Sequence, residues 1–88
     1  MKVFLKENLV FQDLDDKIAI WDPERMETLV LNSTAWYILS LIDEGFNDFE
    51  DLVKRVSEDY GIPEDDARKD VWEFIEELKE VGVIWVKE

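Results

Sequence analysis

The chain contains no cysteine and no histidine. Disulfides, thiolate chemistry, zinc fingers and imidazole general bases are therefore excluded together. Its three glycines, Gly45, Gly61 and Gly82, are too scattered to form a phosphate-cradling loop, and Ser33, Ser40 and Ser57 have no histidine to activate them. Asp13, Asp15 and Asp16 resemble the start of a calcium loop, but no glycine or closing glutamate follows at the required spacing, so they read as turn residues. The longest uninterrupted apolar run, Ala35 to Leu39, has five residues. A membrane span needs roughly 18. The opening Met1-Lys2-Val3-Phe4-Leu5-Lys6-Glu7 meets charge too early for a signal-peptide core. A non-catalytic cytoplasmic protein without metal or cofactor is the expectation.

What is present is a foldable composition. Of 88 residues, 47% are hydrophobic and 38% charged, with four tryptophans. That is enough for one domain over residues 1–88, which should bury roughly 60 to 65% of the surface its unfolded form exposes. Abundant Glu and Lys with few amides lean toward a thermophilic source. The net charge is −13, and it is uneven: residues 1–32 hold seven acids and four bases (−3), residues 33–88 sixteen acids and six bases (−10). Such a surface repels phosphate backbones and anionic lipids and favours basic partners.

Patterning divides the chain at Asn32. Val3-Phe4-Leu5 is a short apolar burst, read as a small strand or a packed arm. Leu9 to Leu14, Lys17 to Trp21 and Thr28 to Leu31 read as the three strands of an antiparallel meander. Asp15-Asp16 supplies the first turn, and Asp22-Pro23-Glu24-Arg25 fits a type I turn. Asn32 or Ser33 can then cap a helix bearing Ala35, Ile38, Leu39 and Ile42, ended near Gly45. A second helix, capped by Asp48, carries Phe49, Leu52, Val53, Val56 and Tyr60 before Gly61. Pro63 and Glu64-Asp65-Asp66 suit the first turn of a third, with a buried stripe of Ala67, Val71, Phe74, Ile75, Leu78 and Val81 up to Gly82. Val83 to Val86 closes the order as a last strand. The expected class is α+β: a three-stranded antiparallel sheet, three helices and a short C-terminal strand.

Two features invite a functional reading. If the sheet runs in chain order, the far side of the Thr28–Leu31 strand is an edge with unpaired amides and carbonyls, unless the N-terminal arm, the C-terminal strand or a second copy covers it. Trp72 lies one position beyond Val71, about 100° off the buried stripe. It either caps the edge of the core or lines a groove for an apolar partner side chain. The element order also fits a winged-helix DNA-binding module. Against that, the would-be recognition helix from Pro63 to Gly82 carries eight acids and three bases. In a major groove it would meet like charge along its length.

The chain resembles the PqqD-like family, the peptide-recognition elements of pathways that make ribosomally synthesised, post-translationally modified peptides. The likeness runs from about Leu9 to Ile84. It is carried by the strand ending Leu31-Asn32 followed by Thr34-Ala35, by Leu41-Ile42-Asp43-Glu44-Gly45, and by Tyr60-Gly61-Ile62. Asp70-Val71, Phe74-Ile75, Leu78 and Gly82-Val83-Ile84 complete it. A tryptophan common on the first helix of relatives, near Leu39, is absent here, and Trp36 stands three residues earlier.

The resemblance implies a winged helix-turn-helix-like fold that does no chemistry. Such a protein binds the leader of a precursor peptide as an antiparallel strand added to the third strand of the meander, in the groove beside the third helix. It implies a peptide-binding set of Glu27, Thr28, Leu29, Val30 and Leu31 on the strand, with Arg68, Lys69, Trp72, Glu76 and Lys79 on the helix. The implied partners are a leader peptide and a modifying enzyme, whether a radical-SAM enzyme, a cyclase or a leader peptidase. Nucleic acid and membrane are not implied, and the chain would be a monomer or homodimer.

Overall fold

The computed structural model describes all 88 residues, Met1–Glu88. Three strands, β2 (Val10–Asp13), β3 (Ile18–Asp22) and β4 (Glu27–Leu31), form an antiparallel sheet in the order β2-β3-β4. The first hairpin is closed by the Leu14 N–H donating to the Lys17 carbonyl at 2.8 Å, with Asp15 left-handed at φ 72°. Asp is among the few residues that tolerate that region, and its N–H here donates to Asp13 Oδ1 at 2.9 Å. The second turn is organised by Asp22, whose Oδ1 accepts the Glu24 N–H at 3.0 Å.

Strand alternation decides which face is buried. Ile20, Asp22 and Leu31 are buried and Leu29 is half-buried, whereas Trp21, Thr28 and Val30 face outward. The chain then enters α1 (Ser33–Asp43) without a loop, because the Asn32 side chain accepts the Ala35 N–H at 2.9 Å and supplies the cap. Helix α2 (Phe49–Tyr60) is capped by Asp48 and ended by Gly61, whose left-handed φ of 63° suits glycine. Helix α3 (Glu64–Glu80) begins after Pro63, which stands at the N-cap itself rather than inside the first turn, and three acids fill that turn. Ala67, Val71, Phe74, Ile75 and Leu78 are buried as their spacing predicts. They join residues of α1, α2 and the strands in one cluster of seventeen buried apolar residues. Val81 is only half-buried, and Tyr60 lies off the core, set edge-on to Tyr37 at 5.4 Å.

The N-terminal segment takes the first of its two expected forms. It is a true strand, β1 (Lys2–Leu5), so four strands precede the helices. It pairs antiparallel with β5 (Ile84–Lys87) in a separate two-stranded sheet, with Val3 opposite Val86 and Phe4 stacked on Trp85. Val3 is fully buried, which explains why this short burst is held. The consequence falls on the other sheet: the two segments that could have covered β4 pair with each other instead. The third strand of the meander, Thr28–Leu31, is a free edge.

Candidate functional site

The hydrogen-bond phase of the sheet follows from its first hairpin. Leu14 bonds to Lys17, so in the same register Gln12 faces Ala19 and Val10 faces Trp21 as bonded pairs. In an antiparallel strand, alternate residues turn both peptide groups to opposite sides. Ile18, Ile20 and Asp22 therefore bond toward β4, where they meet Leu31, Leu29 and Glu27. That leaves the peptide groups of Thr28 and Val30 aimed away from the sheet. The free edge thus presents two N–H donors and two carbonyls at a spacing of two residues, the repeat an added strand requires.

Two depressions lie near this edge, one lined in part by Leu29 and the other past the end of the strand, where Asn32 and Thr34 take part. One, of about 100 Å³, is lined by Ile20, Asp22, Glu27, Thr28, Leu29, Val81 and Val83. The other, of about 200 Å³ and more open, lies between the start of α1 and the middle of α3; Ala35, Ile38, Asp70, Glu73, Phe74 and Glu77 contribute to it. The first is apolar at its base and the second is apolar at its floor with a carboxylate wall.

The outer end of the first depression is braced by charge. Lys6 Nζ, on the segment after β1, donates to the buried Asp22 Oδ2 at 2.8 Å and lies 3.3 Å from Glu24. The Lys6 hydrogen bond is the main cause that holds the Asp22 carboxyl below its ordinary range, assisted by the Arg25 and Glu24 amides. The same bond to Asp22 is the main cause that raises the Lys6 ammonium. Arg25 reaches across to donate to the Val81 carbonyl at the end of α3. Gly82 sits next to it at φ 80°, and a Cβ there would lie 2.6 Å from the Arg25 guanidinium. The turn after β3 is in this way fastened both to the small sheet and to the C-terminus of α3, so the groove has fixed walls.

The structure brings Glu27, Thr28, Leu29, Val30 and Leu31 together as one edge. It does not bring Arg68, Lys69, Trp72, Glu76 and Lys79 to that edge. Trp72 and Glu77 are five positions apart, about 140° around a helix. Trp72 belongs to the opposite flank of α3, where it meets Phe49 of α2 edge-on at 5.9 Å. Arg68 pairs with Glu50 of α2 at 2.7 Å, a bond that raises its pKa, and Lys69 lines the same hollow as Arg68, Trp72 and Phe49. Glu76 and Lys79 border a small cleft with Met1 and Val86. The helix residues that share a hollow with Asn32, Thr34, Ala35 and Ile38, just past the end of β4, are Asp70, Glu73, Phe74 and Glu77. A helical wheel separates the two flanks of α3, but only the packing of its neighbours tells which flank lies beside the start of α1.

The family described as Coenzyme PQQ synthesis protein D (PqqD) matches residues 17–84. No curated protein matches the chain in sequence. Among solved structures, it is similar to TbiB1 in complex with the TbiA(beta) leader peptide, with a TM-score of 0.84, 18% identity, and coverage of 97% of this chain and 98% of that one. It is similar as well to a lasso peptide synthetase B1 complexed with the leader peptide, with a TM-score of 0.83, 22% identity, and coverage of 98% and 100%. At such identities these likenesses establish the fold, while the sequence match, which reaches from the turn before β3 to the start of β5, establishes the kinship: the chain belongs to the PqqD family.

Proposed function

We propose that this protein binds the leader segment of a ribosomally synthesised precursor peptide, adding it as an antiparallel strand to β4, and presents it to a modifying enzyme without doing chemistry itself. The observation that carries this reading is the free β4 edge above a groove whose far wall is α3. Backbone bonds to Thr28 and Val30 supply affinity independent of sequence, and alternate leader side chains drop into the two depressions. Two structural relatives with leader peptides in their complexes support the choice of ligand. The enzyme served is a radical-SAM enzyme, a cyclase or a leader peptidase.

Titrating the labelled protein with precursor peptides encoded beside its gene, and separately with duplex DNA, tests the reading. Peptide binding should persist in moderate salt, because neutral backbone bonds and apolar contacts are screened little. Duplex binding without peptide binding would overturn it in favour of an acidic winged-helix regulator, whose affinity would fall steeply with salt.

A further inference from the structure

The acids of α3 lie on both flanks, Asp65 and Glu76 beside its bases, but the bases lie on one flank only. Its bases, Arg68, Lys69 and Lys79, lie on the side facing α2 and the small sheet. Asp70, Glu73 and Glu77 lie on the side facing the β4 groove. Elsewhere the fold pairs seven of its 23 acids: Asp22 and Glu24 with Lys6, Glu27 with Arg25, Asp48 with Lys2, Glu50 and Asp65 with Arg68, and Asp59 with Arg55. The three groove carboxylates have neither an ion pair nor a side-chain hydrogen bond, and no cluster of acids in the protein is arranged to hold a metal ion. They stand exposed beside the apolar floor of Ala35, Ile38 and Phe74. Their hollow also takes in Asn32 and Thr34, so an extended chain seated on Thr28 and Val30 and continued past Leu31 would run toward them.

From this, and resting on the strand-addition reading, we infer that the groove selects leaders carrying a lysine or arginine, whose alkyl stem covers the Ala35–Phe74 floor while its cationic head meets Glu73, Glu77 and Asp70. The position of that residue follows from strand geometry. Leader residues opposite Thr28 and Val30 share their outward face, so those opposite Glu27, Leu29 and Leu31 point into the groove, at every second position. Strand β4 runs from the apolar depression toward the acidic one. An antiparallel leader therefore meets the acidic wall first. The motif is a basic residue followed, two or four positions later, by an aliphatic residue that fills the hollow of Ile20, Leu29, Val81 and Val83. The Lys or Arg stem packs while its head stays wet, which avoids the desolvation cost of a buried ion pair.

A randomised twelve-residue display library selected on the intact protein tests the inference without knowledge of the natural leader. Selected peptides should show Lys or Arg at an even spacing before Leu, Ile or Val. Replacing that base by Gln should weaken binding about threefold to tenfold at low salt, the range for one or two exposed ion pairs, and less at high salt. Selection on the E73Q/E77Q protein should lose the basic preference and keep the aliphatic one. Retention of the basic preference by E73Q/E77Q, or neutral or acidic residues at that position in peptides selected on the wild type, would overturn the inference while leaving strand addition intact. A library yielding no binders, or binders indifferent to Val30→Pro, would instead overturn strand addition itself.

Discussion

Proline substitutions at adjacent positions of β4 distinguish the free side of the strand from its paired side. Val30 turns its N–H outward, and the residue is 52% exposed. Val30→Pro therefore removes no bond to β3 and little buried apolar area, and the extended backbone at Leu29 is what a residue before proline prefers. It should fold with a stability close to that of the wild type. Toward an added strand the effect is large. The leader carbonyl left without its donor costs about 1–3 kcal/mol. This predicts peptide affinity lower by roughly fivefold to 150-fold. Leu29→Pro has the opposite signature. Leu29 pairs with Ile20 and its side chain packs against the core, so its replacement breaks the ladder and leaves the Ile20 carbonyl without its donor, at about 1–3 kcal/mol before any lost packing. Fluorescence anisotropy with a leader peptide, beside urea denaturation of each variant, reads both quantities. A folded Val30→Pro protein that binds normally while Leu29→Pro is folded and does not bind would refute the deduced hydrogen-bond phase; normal binding by both would refute strand addition.

Two further predictions concern residues around the edge. Because Trp72 lies on the flank of α3 away from β4, Trp72→Ala should leave peptide affinity within about twofold of the wild type and cost about 1–2 kcal/mol of stability, from the lost contact with Phe49 and the partial burial of the indole; a folded variant that no longer binds would return Trp72 to the binding surface. The Lys6–Asp22 pair should show in the pH dependence of stability. The Asp22 carboxyl is depressed from 3.8, so its contribution is complete above that value and is lost as the pH falls through the lower folded value. The Lys6 ammonium is raised from 10.5, so its contribution is complete below that value and is lost as the pH rises through the higher folded value. Urea midpoints of wild type and Asp22→Asn should differ most between these limits and converge in acid, and a gap that stays constant down to the acid limb would show that the pair does not contribute as described.

Most of the architecture is local chemistry and was legible in the chain. The Asp-rich turn after β2, the Asn32 and Asp48 caps, the glycines ending α1 and α2 and the stripe Ala67–Leu78 each act within a few residues, so spacing alone specifies them. The absence of cysteine and histidine likewise excluded whole classes of site before any contact was known. The strand Thr28–Leu31 and its role as an edge candidate belong to the same level, and so does the family pattern. What spacing could not supply was anything that depends on elements distant in sequence meeting. Whether β4 is open turned on β1 and β5 pairing with each other across some eighty residues, driven by the burial of Val3 and Ile84. Which flank of α3 walls the groove turned on how that helix is rotated against α2, where Phe49 takes Trp72 and Glu50 takes Arg68. An amphipathic helix has one buried stripe but two flanks. The sequence pattern determines the stripe, and only packing against the neighbouring elements decides which flank meets the edge and which meets the rest of the protein.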